Sequence, residues 1–242
     1  MASLTKLKIL FLAAAVTGIL MISLTLFGVA WINSNPGYYR YTVTIDGLSN
    51  YTGEPATDII VPMPMRGGNL VFSEEELQYK QFGNWKSVIV VTPHGKMLAF
   101  QSVGANLTDI HAEFFKGFDP GELRLTDLQN ESLSPLMSGG QDTPVRWNSS
   151  TQVGSNCTSV LFFPEGLVPL NVNATDIGVN LELTVSEGIH HSISGDTFRM
   201  SILEHIPPDI RGAIPVSVHV KKYLDGNWVP VNEEGIPILS RS

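Results

Sequence analysis

The chain has 242 residues, with 15 Lys and Arg residues, 23 Asp and Glu residues and one cysteine. A net charge of −8 argues against a nucleic-acid-binding protein, which presents a basic surface, and against adhesion to anionic lipid. A single cysteine excludes an intramolecular disulfide and a thiolate metal cluster. The length suits one large all-β domain or two smaller ones.

The N-terminal segment contains a long run without charged side chains, from residue 9 to residue 32. A helix of about 20 apolar residues crosses the hydrocarbon core of a bilayer. We therefore predict a transmembrane anchor over residues 9–32, preceded by a cytoplasmic segment of residues 1–8 and followed by a linker of residues 33–37. The alternative is a secretory signal cleaved after Ala30, but the apolar run is longer than the core of a typical signal.

The basic residues around this run predict its orientation. Lys6 and Lys8 precede it, and the next basic residue is Arg40. Cytoplasmic flanks of membrane spans carry the excess of Lys and Arg. We therefore expect the N-terminus in the cytoplasm and residues 38–242 outside the cell, as an acidic segment that keeps 13 of the 15 basic residues against all 23 acidic ones.

The outer segment is rich in sequons for N-glycosylation, which have the form N-x-[ST]. The chain has 14 Asn and 37 Ser or Thr residues, so chance alone predicts about two sequons, whereas six are present. The predicted acceptors are Asn50, Asn106, Asn130, Asn148, Asn156 and Asn173. Many sequons without disulfides are more typical of an archaeal cell surface than of small exported eukaryotic domains.

Five segments alternate apolar and polar side chains with the period of two that is typical of a half-buried strand. They cover residues 39–45, 110–114, 177–185, 198–202 and 214–220. One apolar and one polar face indicate an antiparallel sheet with one side in water. Two further segments, 87–91 and 159–163, are apolar without alternation, and we interpret them as central strands buried on both faces.

Turn residues predict where these strands connect. Residues 93–96 join two apolar runs, and Asp225-Gly226 is typical of a tight hairpin turn. Helix is scarce in this part of the chain. Ser73 is followed three residues later by Glu76, which has the form of a capping box and predicts a single helical turn near residues 73–79.

These patterns predict an all-β protein in which residues 38–242 form an antiparallel β-sandwich, as one large unit or as two packed sheet-rich halves. Residues 137–158 are rich in Gly, Ser and Asn, so we interpret them as a long exposed loop and as the place where a subdivision would fall. Cys157 lies in a sequon within this segment and is interpreted as a loop residue.

The proline-bearing segment DIIVPMPMRGG, residues 58–68, has two readings. Pro62 and Pro64 cannot donate to a strand ladder, which predicts an edge strand or an extended arm that leaves the sheet. Met63 and Met65 have adaptable side chains, so a docking ledge for a partner is the alternative. We favour the extended arm.

The sequence lacks the short motifs that carry catalytic or metal chemistry. It contains no H-E-x-x-H or H-x-H pair, no G-x-S-x-G elbow and no phosphate-binding glycine loop. We therefore expect no catalytic residue, no metal site and no cofactor. Two alternatives stay open, because paired carboxylates need no local signature and because His190, His205 and His219 would form a metal site if they converged.

The function expected from these features is that of a membrane-anchored, N-glycosylated cell-surface protein with a non-enzymatic binding or structural role in the envelope. Its expected partners are the lipid bilayer, through residues 9–32, and envelope proteins or glycans. The alternatives are an accessory subunit of a membrane complex and an exported hydrolase with a carboxylate-based or His-based site.

Overall fold

The structure, a computed structural model, describes most of the predicted β region and a part of the N-terminal segment. The described residues are 16–28, 37–54, 56–104, 106–118, 131–135, 157–171, 175–186, 197–224 and 227–230. The predicted segment 1–8 lies outside them, and so does the linker apart from Gly37. The loop predicted over residues 137–158 also lies outside them, except for its last two residues.

The described N-terminal part is helix α1, residues 16–28, and its large apolar side chains are exposed. Within the described residues, no helix is both long enough and apolar enough to span a membrane. Of the residues predicted to form the transmembrane anchor, 9–15 and 29–32 lie outside the described part of the chain.

The rest of the described chain is built almost entirely of strands. A 3₁₀ turn, Leu48–Asn50, and a short helix α2, Glu74–Leu77, are the helical elements within it. The strands are β1 (Gly37–Asp46), β2 (Tyr51–Thr52), β3 (Asp58–Val61), β4 (Met63–Arg66), β5 (Asn69–Leu70), β6 (Gln81–Phe82), β7 (Trp85–Thr92), β8 (Gly95–Ser102), β9 (Ile110–Phe118), β10 (Glu131–Ser134), β11 (Cys157–Phe163), β12 (Val168–Pro169), β13 (Ile177–Ser186), β14 (Thr197–Ile206), β15 (Gly212–Leu224) and β16 (Asn227–Pro230).

Eleven strands form one large antiparallel sheet in the order β6-β7-β8-β3-β11-β15-β14-β13-β1-β9, with β16 beside β15. Strand β15 joins two halves of this sheet, because its first part pairs with β11 and its later part with β14. The two end strands approach each other, so the sheet is nearly closed. Two small sheets, β10-β4-β5 and β12-β2, complete the described part. The prediction of an all-β, antiparallel architecture is confirmed.

The alternating segments form strands because each has one face that can be buried. In β1, Tyr41, Val43 and Ile45 are fully buried, and the residues between them face outward. Antiparallel pairing with β13 sets Tyr41 opposite Leu183 and Val43 opposite Leu181, so both strands bury the same face. The five strands predicted from alternation are confirmed.

The two apolar segments without alternation differ from each other. Strand β11 lies between β3 and β15, and its side chains at Val160, Leu161 and Phe163 are buried, as predicted. Strand β7 is not buried on both faces, because its outer neighbour β6 has only two residues and Val91 is exposed. The prediction of a central strand is therefore wrong for β7.

Two local predictions have clear outcomes. The capping box is present, since Ser73 and Glu76 exchange hydrogen bonds at the start of α2. The turn at residues 93–94 joins β7 to β8, where Thr92 pairs with Gly95.

The prediction for Cys157 differs from the structure. A loop is predicted there, but the backbone of Cys157 pairs with Val218 and the residue begins β11. That prediction is wrong because strand pairing extends into the sequon.

One core connects the two halves of the sheet. The buried hydroxyl of Tyr41 in β1 donates a hydrogen bond to the carbonyl of Pro62, 2.5 Å away, where the chain turns from β3 into β4. Pro62, Met63 and Pro64 are themselves buried. The proline segment therefore bends the chain out of the large sheet, as expected of an arm that leaves the sheet. The prediction of an edge strand is wrong, because β3 is paired with β8 and β11 and β4 is the middle strand of the small sheet.

Candidate binding site

An open pocket lies where the two ends of the large sheet approach each other. Its volume is about 410 Å³, and we call it the seam pocket. Its lining combines aromatic rings with charged and amide groups: Phe72, Glu76, Lys80, Gln81, Phe82, Glu113, Phe114 and Phe115. These residues come from segment 72–82, which contains α2 and β6, on one side and from β9 on the other.

The wall from α2 and β6 is held in place by short-range hydrogen bonds. The backbone N–H of Ser73 donates to Glu76 Oε2 at 2.7 Å, and the N–H of Glu76 donates to Ser73 Oγ at 3.2 Å. Behind them, the fully buried Ser87 donates its hydroxyl to the carbonyl of Leu77 at 2.5 Å and accepts from the N–H of Lys80 at 3.1 Å. Ser87 thus fixes residues 77–80 against β7.

The opposite wall carries an ion pair and a pair of stacked rings on the outer face of the sheet. Arg40 Nε and Nη2 lie 2.9 and 3.0 Å from the two carboxylate oxygens of Glu113, in a bidentate arrangement. The hydrogen bond to Glu113, and then its charge, raise the pKa of Arg40. The ring of Phe115 stacks on Tyr38 at 5.6 Å, yet its side chain remains 61% exposed.

Phenylalanine rings form the floor of the seam pocket. The ring of Phe114 lies 5.4 Å from that of Phe82 and 6.2 Å from that of Phe72, between centroids. Phe72 and Phe114 are buried, whereas Phe82 is partly exposed. Side-chain packing therefore holds the two ends of the sheet together here, without a strand ladder between β6 and β9.

Side-chain hydrogen bonds tie the seam on both sides of the pocket. Trp85 Nε1 donates to the carbonyl of Thr108 at 2.7 Å, just before β9 begins. Lys116 Nζ donates to the carbonyl of Val71 at 2.8 Å, near the end of β9. The pocket occupies the stretch between these two ties, so its rim is fixed at both ends.

Two of the six predicted glycosylation sites are described, and both are exposed. Asn50 ends the 3₁₀ turn after β1, and Asn106 lies before β9, in the lining of a second pocket of about 290 Å³. A backbone bridge between Thr52 and Asn106 brings the two sequons together. Four predicted acceptors lie outside the described residues: Asn130, Asn148, Asn156 and Asn173.

The described histidines do not converge. His205 and His219 are exposed and lie on the neighbouring strands β14 and β15. They are not opposite each other, because His219 pairs with Ser201, which lies four residues before His205. His111 Nε2 lies 3.8 Å from Asp46 Oδ1 on the exposed outer face of β9. Among the described residues, no group of three or more His, Cys, Asp or Glu side chains is placed to hold a metal ion. His190 lies outside them.

Burial changes the acidity of the Asp58 carboxyl group. It begins β3 beside Gln101 of β8, and its Oδ1 atom is buried without a hydrogen-bond partner. Burial raises the pKa of Asp58, and a hydrogen bond from Gln101 opposes this shift. The structure places Asp58 away from the seam pocket lining, so we assign it no role there.

Sequence reasoning missed the seam pocket. Its residues come from segments 72–82 and 113–115, whose proximity depends on how the sheet curves. The local signals present were the capping box and the Phe114-Phe115 pair, and neither indicates a shared pocket. Comparison with known proteins adds no assignment, because no family model, curated protein or solved structure matches the chain.

Proposed function

We propose that this chain is a cell-surface binding protein that holds a neighbouring envelope component in the seam pocket. The observation that carries the proposal is the composition of this pocket, in which an exposed Phe115 ring lies beside the Arg40–Glu113 pair. Binding sites typically combine apolar surface with a few fixed polar groups in volumes of about 300–1,000 Å³. A pocket of about 410 Å³ falls within this range.

The proposed location rests on the sequence. The charge-free run over residues 9–32, the lysines before it and the six sequons support an anchored protein with its β region outside the cell. The exposed positions of Asn50 and Asn106 are compatible with glycosylation. We further interpret the nearly closed sheet as a sandwich of two halves that share β15, as predicted for residues 38–242.

The direction of β1 supports an arrangement relative to the membrane. The chain enters β1 at Gly37 and leaves it at Asp46, nine residues later. At about 3.3 Å per residue, this distance is about 30 Å. Asn50 and Asn106 lie beyond the end at Asp46, so an anchored protein would carry these glycans on the side away from the membrane.

The accessory-subunit alternative draws on helix α1. Its apolar side chains, among them Ile19, Leu24 and Phe27, are exposed. A helix that is apolar on all sides is typical of burial in a membrane or among other helices. This alternative differs from our proposal in the contact surface, which would be α1 rather than the seam pocket.

The hydrolase alternative draws on two carboxylates, because Glu76 and Glu113 line the same pocket. Both carboxylates have other partners, since Glu113 accepts from Arg40 with both oxygens and Glu76 accepts from the backbone of Ser73. A general acid needs a proton to donate, and an arginine-paired carboxylate is a poor donor. We therefore favour binding. The hydrolase predicts cleavage of chromogenic glycosides that Glu76→Gln abolishes.

Site-specific photocrosslinking in intact cells tests the proposal. A photoreactive amino acid replaces Phe115 in one variant and Leu203 in the matched control, because these residues are 61% and 64% exposed on the outer face of the same sheet. We expect a discrete adduct from position 115 that position 203 does not give. Adducts from neither position, or the same adducts from both, would contradict a binding role for the seam pocket.

A further inference from the structure

The two strands at the seam, β6 and β9, each have a backbone edge that no other described strand covers. In the described part of the chain, β9 pairs only with β1, and β6 pairs only with β7. The described turn and loop hydrogen bonds also leave the backbone of residues 110–118 without a further partner. In an antiparallel strand, alternate residues direct their N–H and C=O groups to this open edge. We propose that the open edge of β9 binds an extended segment of a partner polypeptide as an added strand.

The length of the open edge suits a short strand. The ties at Thr108 and Lys116 enclose about seven residues of β9 and its approach, or about 23 Å at 3.3 Å per residue. Strands of three to ten residues are common in proteins, so a segment of about four to six residues fits between the ties. The pocket lies within this stretch, since Glu113, Phe114 and Phe115 line it.

The pocket floor indicates the side-chain pattern of the partner segment. Successive side chains of a strand point to opposite faces, so every second side chain of an added strand would face inward. The partly exposed ring of Phe82 lies there and offers apolar contact, and the buried rings of Phe72 and Phe114 support it from below. The outward rim carries Glu76, Lys80 and the Arg40–Glu113 pair, whose formal charges balance. The partner segment should therefore alternate apolar and polar residues without a strong charge requirement.

An open strand edge favours a polypeptide over a saccharide. Strand addition obtains affinity from main-chain hydrogen bonds and specificity from pockets for alternate side chains. The seam provides a strand edge and one pocket beside it. A saccharide would use the exposed Phe115 ring and the polar rim but would leave the β9 edge uncovered. Hydrogen exchange at the β9 backbone separates these two classes of ligand.

The test uses the full-length chain in detergent and a phage-displayed library of random 12-residue peptides. We expect selected peptides with alternating apolar residues, and slower hydrogen exchange at alternate β9 amides when a selected peptide is bound. N-methylation of the peptide should weaken binding roughly two- to tenfold at every second residue and leave the intervening residues unaffected, because one hydrogen bond is lost at a time. Phe115→Ala should weaken binding, and Leu203→Ala should not.

Three results would overturn the inference: selection yields no peptide, bound peptides leave β9 exchange unchanged, or a saccharide from a glycan array occupies the pocket and excludes peptides. The inference rests on the proposed binding function, but the two fail separately. A photocrosslinked adduct at position 115 together with any of these three results would keep the binding function and reject strand addition. Absence of both the adduct and peptide binding would reject both.

Discussion

At the scale of single residues, buried polar groups determine how the sheet is held together. Tyr41 is fully buried, and burial raises the pKa of its hydroxyl far above the ordinary value. Its hydrogen bond to the Pro62 carbonyl links β1 to the bend between β3 and β4. Alternation predicted that Tyr41 would be buried, but it could not identify a partner 21 residues away, since that contact depends on tertiary structure.

Replacing Tyr41 with Phe should destabilise the protein by about 1–3 kcal/mol, because the buried Pro62 carbonyl loses its donor. The ring and its packing against Phe114 remain. Chemical denaturation monitored by circular dichroism measures the change. Tyr38→Phe is the control, because Tyr38 lies on the outer face beside Phe115. Equal stability of the two variants would contradict the role of the Tyr41 hydroxyl.

Asp58→Asn should stabilise the protein at neutral pH. The pKa of Asp58 is raised in the folded state, so folding favours the protonated carboxyl. The stability that the protonated Asp58 contributes is fully present below pH 3.8 and is lost as the pH rises through the folded pKa. The asparagine carries no charge, so its advantage should be absent in strong acid and appear as the pH rises. We expect less than about 1 kcal/mol, because Asp58 is only partly buried. Unfolding at several pH values checks the difference, and a constant difference would contradict it.

At the scale of elements, the sequence predicted strands well wherever one face is apolar and the other polar. It also predicted the capping box of α2, because that motif lies within four residues. It failed for β7, because an apolar run does not reveal whether a strand has long neighbours on both sides. The seam pocket was equally hidden, since α2, β6 and β9 meet only when the sheet curves.

The wall formed by α2 and β6 depends on Ser87. Ser87→Ala removes its hydrogen bonds with Leu77 and Lys80 and leaves buried polar backbone groups unpaired. We expect a loss of about 1–3 kcal/mol in the free energy of unfolding and faster hydrogen exchange in residues 77–80. Ser201→Ala in β14 provides the control. Unchanged exchange in residues 77–80 would show that Ser87 does not fix this wall.

At the scale of the whole molecule, the exposed sequons give a prediction about surface location. Asn50→Gln and Asn106→Gln should each lower the mass of the native protein by one glycan, because both residues are exposed in the folded chain. Asn84→Gln is the control, since Asn84 does not lie in a sequon. Mass spectrometry of protein purified from its own cells makes the comparison. A bare peptide mass for the unmodified sequence would contradict export to a glycosylating compartment.

The central claim is that the seam pocket holds a neighbouring envelope component. Native electrophoresis of membranes extracted in mild detergent tests it with two matched double variants. The first variant, Phe115→Ala with Glu113→Lys, alters the pocket. The control variant, Leu203→Ala with Glu74→Lys, changes a similarly exposed apolar side chain and an exposed ion pair, both outside the pocket. We expect the unaltered protein and the control variant to migrate as a complex larger than the chain, and the first variant to migrate alone. Migration of the unaltered protein alone, or of both variants within the same complex, would contradict the claim.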